Sequence, residues 1–223
     1  MSVERVTIKG VRYYKVEDEL LISVTTPLKV ISTPALEVWK AKIGEHKAKR
    51  IARKASKFGT RVHSYCEKVA KGEEIGDVPS KFEQSVKNFK AWFENVEEVY
   101  ATEIMLYSKK WGIGGTADLI CKMRGDDFYS IVDIKTGRIH PHAALQIAAY
   151  RKMADDLLDI EIKRGIILSI RHDRKNPKLI ECVVKSHPKK CTCMNDIVTY
   201  DEYWQIYWNL LKIWKWKEEV NAK

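Results

Sequence analysis

The sequence predicts an α/β protein in which a central mixed sheet is flanked by helices. Three runs, 99–107, 114–123 and 128–135, are rich in Val, Ile, Leu and Tyr and are parted only by glycine or charged pairs, as successive antiparallel strands would be. Helical segments precede them. A further helix and two more strand-like runs, 164–171 and 178–185, follow before a last helix. Helices, a three-stranded meander, then helix, strand, strand and helix make a sheet covered by helices.

Each element has a local cause. The first twenty-four residues alternate apolar and polar positions around Lys9-Gly10, with Val6 and Ile8 before it and Val11 and Tyr13 after it, which predicts a hairpin. Thr33-Pro34 is an N-cap and first-turn pair, and Gly44 closes the helix it opens. A long basic helix is expected from Glu45 to Lys71, ending at Gly72. Another opens at Pro79, with Phe82, Val86, Phe89 and Phe93 at helical spacing. Pro141 starts a helix reaching about Leu158. In the last one, Tyr200 to Val220, the repeat of Trp204, Trp208 and Leu211 marks a packed face in preference to a base-stacking one.

Bulk properties narrow the function. No run approaches the length of apolar chain that a membrane span needs. The first ten residues lack the apolar centre of a secretory signal, so an intracellular protein is expected. The formal net charge of +10 favours a polyanionic partner, nucleic acid being the commonest. The five cysteines are odd in number and suggest no disulfide framework.

The most informative feature is a register. If the second and third strands of the meander turn at Gly125-Asp126, Asp118 lies opposite Asp133. If the first and second turn about Lys110-Trp111, Asp118 also faces Glu103. Three carboxylates would then form one row, neighbours about 5 Å apart, with Lys135 on the same face two residues beyond Asp133. Facing carboxylates repel, so stability alone disfavours such a row; a divalent cation turns the repulsion into binding. Oxygen ligands suit Mg²⁺ or Mn²⁺, and a lysine beside them can offset charge on a phosphoryl transition state. The plainer alternative is a row of exposed sheet-face charges, and a slip of one residue would undo it.

Asp118 followed by Asp133-Ile134-Lys135 resembles the core motif of the PD-(D/E)XK nuclease superfamily. Gly59-Thr60-Arg61-Val62-His63, Gly115-Thr116-Ala117-Asp118 and Gln146-Ile147-Ala148-Ala149-Tyr150 resemble the G-x-x-x-H, G-x-x-D and Q-x-x-x-Y motifs of its RecB-like branch, in the same order. Within that branch the chain is similar to the mitochondrial genome maintenance exonucleases and their phage and viral relatives, from about Ser23 to the final helix. The resemblance implies a restriction-endonuclease-like fold in a single nuclease domain, 1–223. A mostly helical N-terminal lobe (1–95) would precede a catalytic core (96–223).

It also implies cleavage of DNA, single-stranded or at ends, in replication, recombination or repair. An endonuclease on the same core, or a DNA-binding module without catalysis, is the alternative. His63, Asp118 and Asp133 would ligate Mg²⁺ or Mn²⁺ with the Ile134 carbonyl nearby, and Lys135 would be the catalytic lysine. Glu103 would hold a metal-bound water or the lysine, while Gln146 and Tyr150 would support the site or touch DNA. Asp133 stands where many members have Glu.

Taken alone, His63 is a helical histidine that could equally be packed or solvent-facing. Arg50, Arg53, Lys54, Lys57 and Arg61 form either a solvated helix face or a phosphate-binding arm leading DNA to the site. Some RecB-like nucleases carry an iron–sulfur cluster, but Cys182, Cys191 and Cys193 do not match the spacing of its ligands, so none is expected.

Overall fold

A type I′ turn opens the chain. Lys9 and Gly10 both have positive φ (49° and 77°), which matches the twist of the two strands they join, β1 (Val3–Ile8) and β2 (Val11–Val16). A second tight turn leads into β3 (Glu19–Ser23), and a 3-10 turn over Pro27–Val30 leads to the helices α1 (Pro34–Ile43), α2 (Glu45–Ala70) and α3 (Ser80–Phe93). The meander follows as β4 (Val96–Ser108), β5 (Ile113–Met123) and β6 (Tyr129–Lys135). After it come α4 (His142–Leu157), β7 (Ile162–Ser169), β8 (Lys178–Val183) and α5 (Tyr200–Asn221). The computed structural model describes residues 2–31, 34–183 and 200–221, the side chains of 179–183 excepted. Thr33, the last two residues of the predicted strand 178–185, Cys191 and Cys193 lie outside the described residues.

All eight strands form one mixed sheet, so the expected α/β architecture of a sheet flanked by helices is present. The N-terminal strands belong to this sheet, and the mostly helical part of the first 95 residues is confined to α1, α2 and α3. Antiparallel pairs join β1, β2 and β3, and β4 to β5 to β6; β6 and β7 run parallel across the α4 connection. One edge of β5 carries β4 along its length. The other edge is shared: β3 pairs with it in parallel at Ile113 and Gly114, and β6 pairs with it from Leu119 to Lys122. Between them, residues 115–118 lie in a fork of the sheet.

Helices cover both faces. On one side α4 packs with α5 against Ile113, Ala117, Ile120 and Ile167. Its alanines 143, 144, 148 and 149 are all buried and let the helix axis lie close to the strands. Trp204 and Leu211 of α5 are buried there, and Trp111 sits edge-on against both Trp204 and Trp208, as the packed-face reading required. On the other side Val62, Cys66, Val86 and Phe89 of α2 and α3 pack on Leu119, Cys121, Val132 and Leu168. No helix among the described residues is long and apolar enough to cross a membrane.

Candidate active site

The predicted register holds at the site. Thr102 pairs with Leu119 and Ile104 with Ala117, so Glu103 falls opposite Asp118. Leu119 pairs with Val132, so Asp133 is the next residue opposite Asp118. The β5–β6 ladder stops at that step because the Asp118 carboxylate replaces a backbone acceptor: its Oδ2 takes the Ile134 N–H at 2.6 Å. Side-chain alternation breaks here as well. Ala117 and Ile120 belong to the α4 face, while Leu119 and Cys121 belong to the α2 face. Across the ladder Glu103 sits at φ 47°, a conformation that costs a non-glycine residue about 1–3 kcal/mol and clusters at working sites.

Two groups of side chains meet at the fork. In the first, His63 Nδ1 lies 3.2 Å from Asp118 Oδ1 and 3.9 Å from Glu103 Oε1. One ligand atom from each of these three residues falls within 4.8 Å of the others, a spacing a divalent cation can bridge, although close acidic groups also occur without one. Burial disfavours the His63 imidazolium, but Asp118 and Glu103 outweigh it and raise the pKa to about 10. Without a cation, the imidazolium itself offsets the two carboxylates. Gly59, one turn before His63, lets α2 approach the end of β6: a Cβ there would lie 3.3 Å from the Thr136 hydroxyl.

The second group is more deeply buried. Lys135 Nζ forms an ion pair with Asp133 Oδ2 at 2.7 Å. The same ammonium donates to Gln146 Oε1 at 3.1 Å. Gln146 Nε2 donates to Asp133 Oδ1 at 3.0 Å and to the Tyr150 hydroxyl at 2.8 Å. One glutamine of α4 thus joins carboxylate, lysine and tyrosine in one hydrogen-bonded group. Burial pushes the Asp133 carboxyl up, opposed by Lys135 and reinforced by Asp118. Burial also works against the Lys135 charge, and Asp133 more than restores it.

No family model matches the chain, and no curated protein sequence matches it. Among solved structures, one described as "Crystal structure of SSO0001" aligns over 89% of this chain and 79% of its own. Its 15% identity and TM-score of 0.34 are too low to establish a shared fold.

Some expected residues fall elsewhere. Asp133 is not in the His63–Glu103–Asp118 cluster but is held by Lys135 and Gln146, because the side chains at this step of β5 and β6 diverge. Ile134 lines the cleft, as expected, and its N–H donates to Asp118 Oδ2. The open cleft over the fork, about 730 Å³, is not lined by Arg50, Arg53, Lys54 or Lys57. These project from the N-terminal half of α2, which is exposed on nearly every side. Arg61 lines a separate hollow with Tyr65 and Lys68. The arginines that line the cleft are Arg5 and Arg12, which sequence reasoning did not single out. The available signal was the Lys9-Gly10 turn, which fixes the hairpin register but not the face that meets the site.

Proposed function

We propose that the chain is a divalent-metal-dependent deoxyribonuclease with a PD-(D/E)XK core, acting on single strands or DNA ends. The observation that carries this reading is the fork in the sheet, where Asp118, Asp133 and Lys135 converge with His63, Glu103 and Gln146 under an open cleft. A purely structural ion network would gain little from three carboxylates on adjacent strands, one of them on a left-handed backbone.

In this reading His63, Glu103 and Asp118 would hold Mg²⁺ or Mn²⁺, while Asp133 is held beside the Lys135 ammonium by Gln146. Such an ion, when bound, polarises a phosphoryl oxygen and lowers the pKa of water. The chain does the positioning. Ile134 N–H fixes the rotamer of Asp118, and Gln146 with Asp133 aims the Lys135 ammonium, which stays charged and so can offset negative charge developing on phosphate. Desolvation by α4 strengthens that interaction.

The test is incubation of the protein with end-labelled linear and closed circular single-stranded DNA, with Mg²⁺, Mn²⁺ or EDTA. Metal-dependent loss of the linear substrate alone is expected. Cutting of circles would assign an endonuclease on the same residues, and cleavage that persists in EDTA would overturn the proposal.

A further inference from the structure

The cleft contains two cationic side chains that the chemistry above does not use. Lys135 and His63 are each committed to carboxylates, whereas Arg5 and Arg12 are exposed and meet no carboxylate among the described residues. Their placement follows from the hairpin register. Arg5 pairs directly with Tyr14, and Arg12 lies two residues before Tyr14 on the same strand face. Tyr14 is buried, and its hydroxyl hydrogen-bonds the Thr116 hydroxyl at 2.9 Å, two residues before Asp118. The parallel pairing of β3 with β5 holds the same hairpin against that strand. The three-stranded ribbon therefore brings two guanidinium groups to the same cleft that α2 lines. The two residues are diagonal neighbours, about 7–8 Å apart with their Cβ atoms somewhat closer, within reach of a single anion.

The geometry points to the β1–β2 hairpin as a phosphate clamp: Arg5 and Arg12 together bind one phosphate of the substrate strand, next to the phosphate being cleaved. This rests on the nuclease reading above and adds the element that sets the strand's position. Two planar donors on a fixed ribbon suit bidentate recognition of phosphate oxygens, which a lysine cannot reproduce. The ligand is either an internal phosphodiester or a terminal phosphate monoester, since both offer the same oxygens.

Binding is measured in EDTA, so that no cleavage occurs, by anisotropy of a 3′-labelled single-stranded oligonucleotide carrying either a 5′-phosphate or a 5′-hydroxyl. Arg5→Ala/Arg12→Ala should weaken binding at least about tenfold and flatten the dependence of log K on log salt by about 0.7, as one lost phosphate contact requires. The corresponding double lysine variant should keep the salt slope and still lose affinity. Lys15→Ala, on the opposite hairpin face, controls for net charge and should change binding little. Loss with both oligonucleotides identifies an internal phosphodiester; loss with the 5′-phosphate alone identifies a terminal one. Unchanged binding, or equal weakening by Lys15→Ala, overturns the clamp while leaving the nuclease reading standing. A wild-type protein that binds neither oligonucleotide overturns both.

Discussion

Replacing Gly115 by alanine tests whether the fork is held as tightly as its geometry requires. A Cβ at this position would lie 2.5 Å from Tyr150 Cε1, 3.1 Å from Cδ1 and 3.3 Å from Met153 Cε. Carbon atoms pack at about 3.5–4.0 Å, so the Tyr150 ring must retreat by about 1 Å. Tyr150 is only 4% exposed, and its hydroxyl takes a 2.8 Å hydrogen bond from Gln146. Retreat therefore both overpacks the core and breaks that bond. Overpacking costs about 1–3 kcal/mol and the lost bond about 1 kcal/mol, giving about 2–4 kcal/mol. Urea unfolding should show the midpoint falling with an unchanged m-value. Nuclease activity should fall further than stability explains, because Gln146 also holds Asp133 and Lys135.

Gly114→Ala is the contrasting case. Its Cβ would strike Tyr14 Cβ at 2.6 Å, an atom anchored to backbone, so it should destabilise at least as much while leaving the Gln146 contacts intact. Tyr150→Leu should rescue part of the Gly115→Ala loss, with a coupling energy of at least about 1 kcal/mol in the double-mutant cycle. A Gly115→Ala protein within about 0.5 kcal/mol of wild type, or strict additivity with Tyr150→Leu, would refute the packing argument.

Four further outcomes are expected. Asp118→Ala and Asp133→Ala should each abolish cleavage while DNA binding in EDTA persists; near wild-type cutting by either folded variant removes it from the site. Lys135→Ala should slow single-turnover cleavage by about 10²–10³-fold. Full rescue by added Mn²⁺ would show that the lysine only supports metal binding. His63 carries its proton below about pH 10, and a cation must displace it, so Mn²⁺ affinity should rise with pH by about tenfold per unit from pH 7 to 9, with proton release measurable by calorimetry in buffers of different ionisation enthalpy. In the metal-free protein that proton stabilises the fold fully below pH 6.5, and its contribution is lost as pH rises through about 10, so a pH-independent affinity and thermal midpoint would contradict the His63–Asp118 pairing. Burial pushes the Cys121 thiol up to about 12 and Cys66 upward as well, so peptide mapping after alkylation at pH 8 should find both unmodified until the protein is unfolded.

Much of the fold was legible because it is written in local chemistry. The alternation around Lys9-Gly10 marked the first hairpin, Gly44 and Gly72 bounded the helices, and the two short meander turns set Glu103, Asp118 and Asp133 in one register. Short antiparallel connections leave little freedom, so sequence distance translates into spatial pairing. The partnership of His63 with Asp118 came from motif order alone; the physical cause, Gly59 admitting α2 to the end of β6, appears only in the packing.

What the tertiary structure decided are the features that depend on pairings distant in sequence. The parallel contact of β3 with β5 creates the fork and brings the hairpin carrying Arg5 and Arg12 to the cleft, whereas Arg50, Arg53, Lys54 and Lys57 lie on an exposed stretch of α2 outside its lining. A row of carboxylates read from register predicts neighbours, but side-chain directions depend on local backbone twist. Glu103 at positive φ and the broken alternation at Asp118 separate the row into a His63–Glu103–Asp118 cluster and an Asp133–Lys135–Gln146 one. Periodicity reports which face of a strand is buried. It carries no information about which distant element will cover that face, because that choice is made by the free energy of the whole packed core.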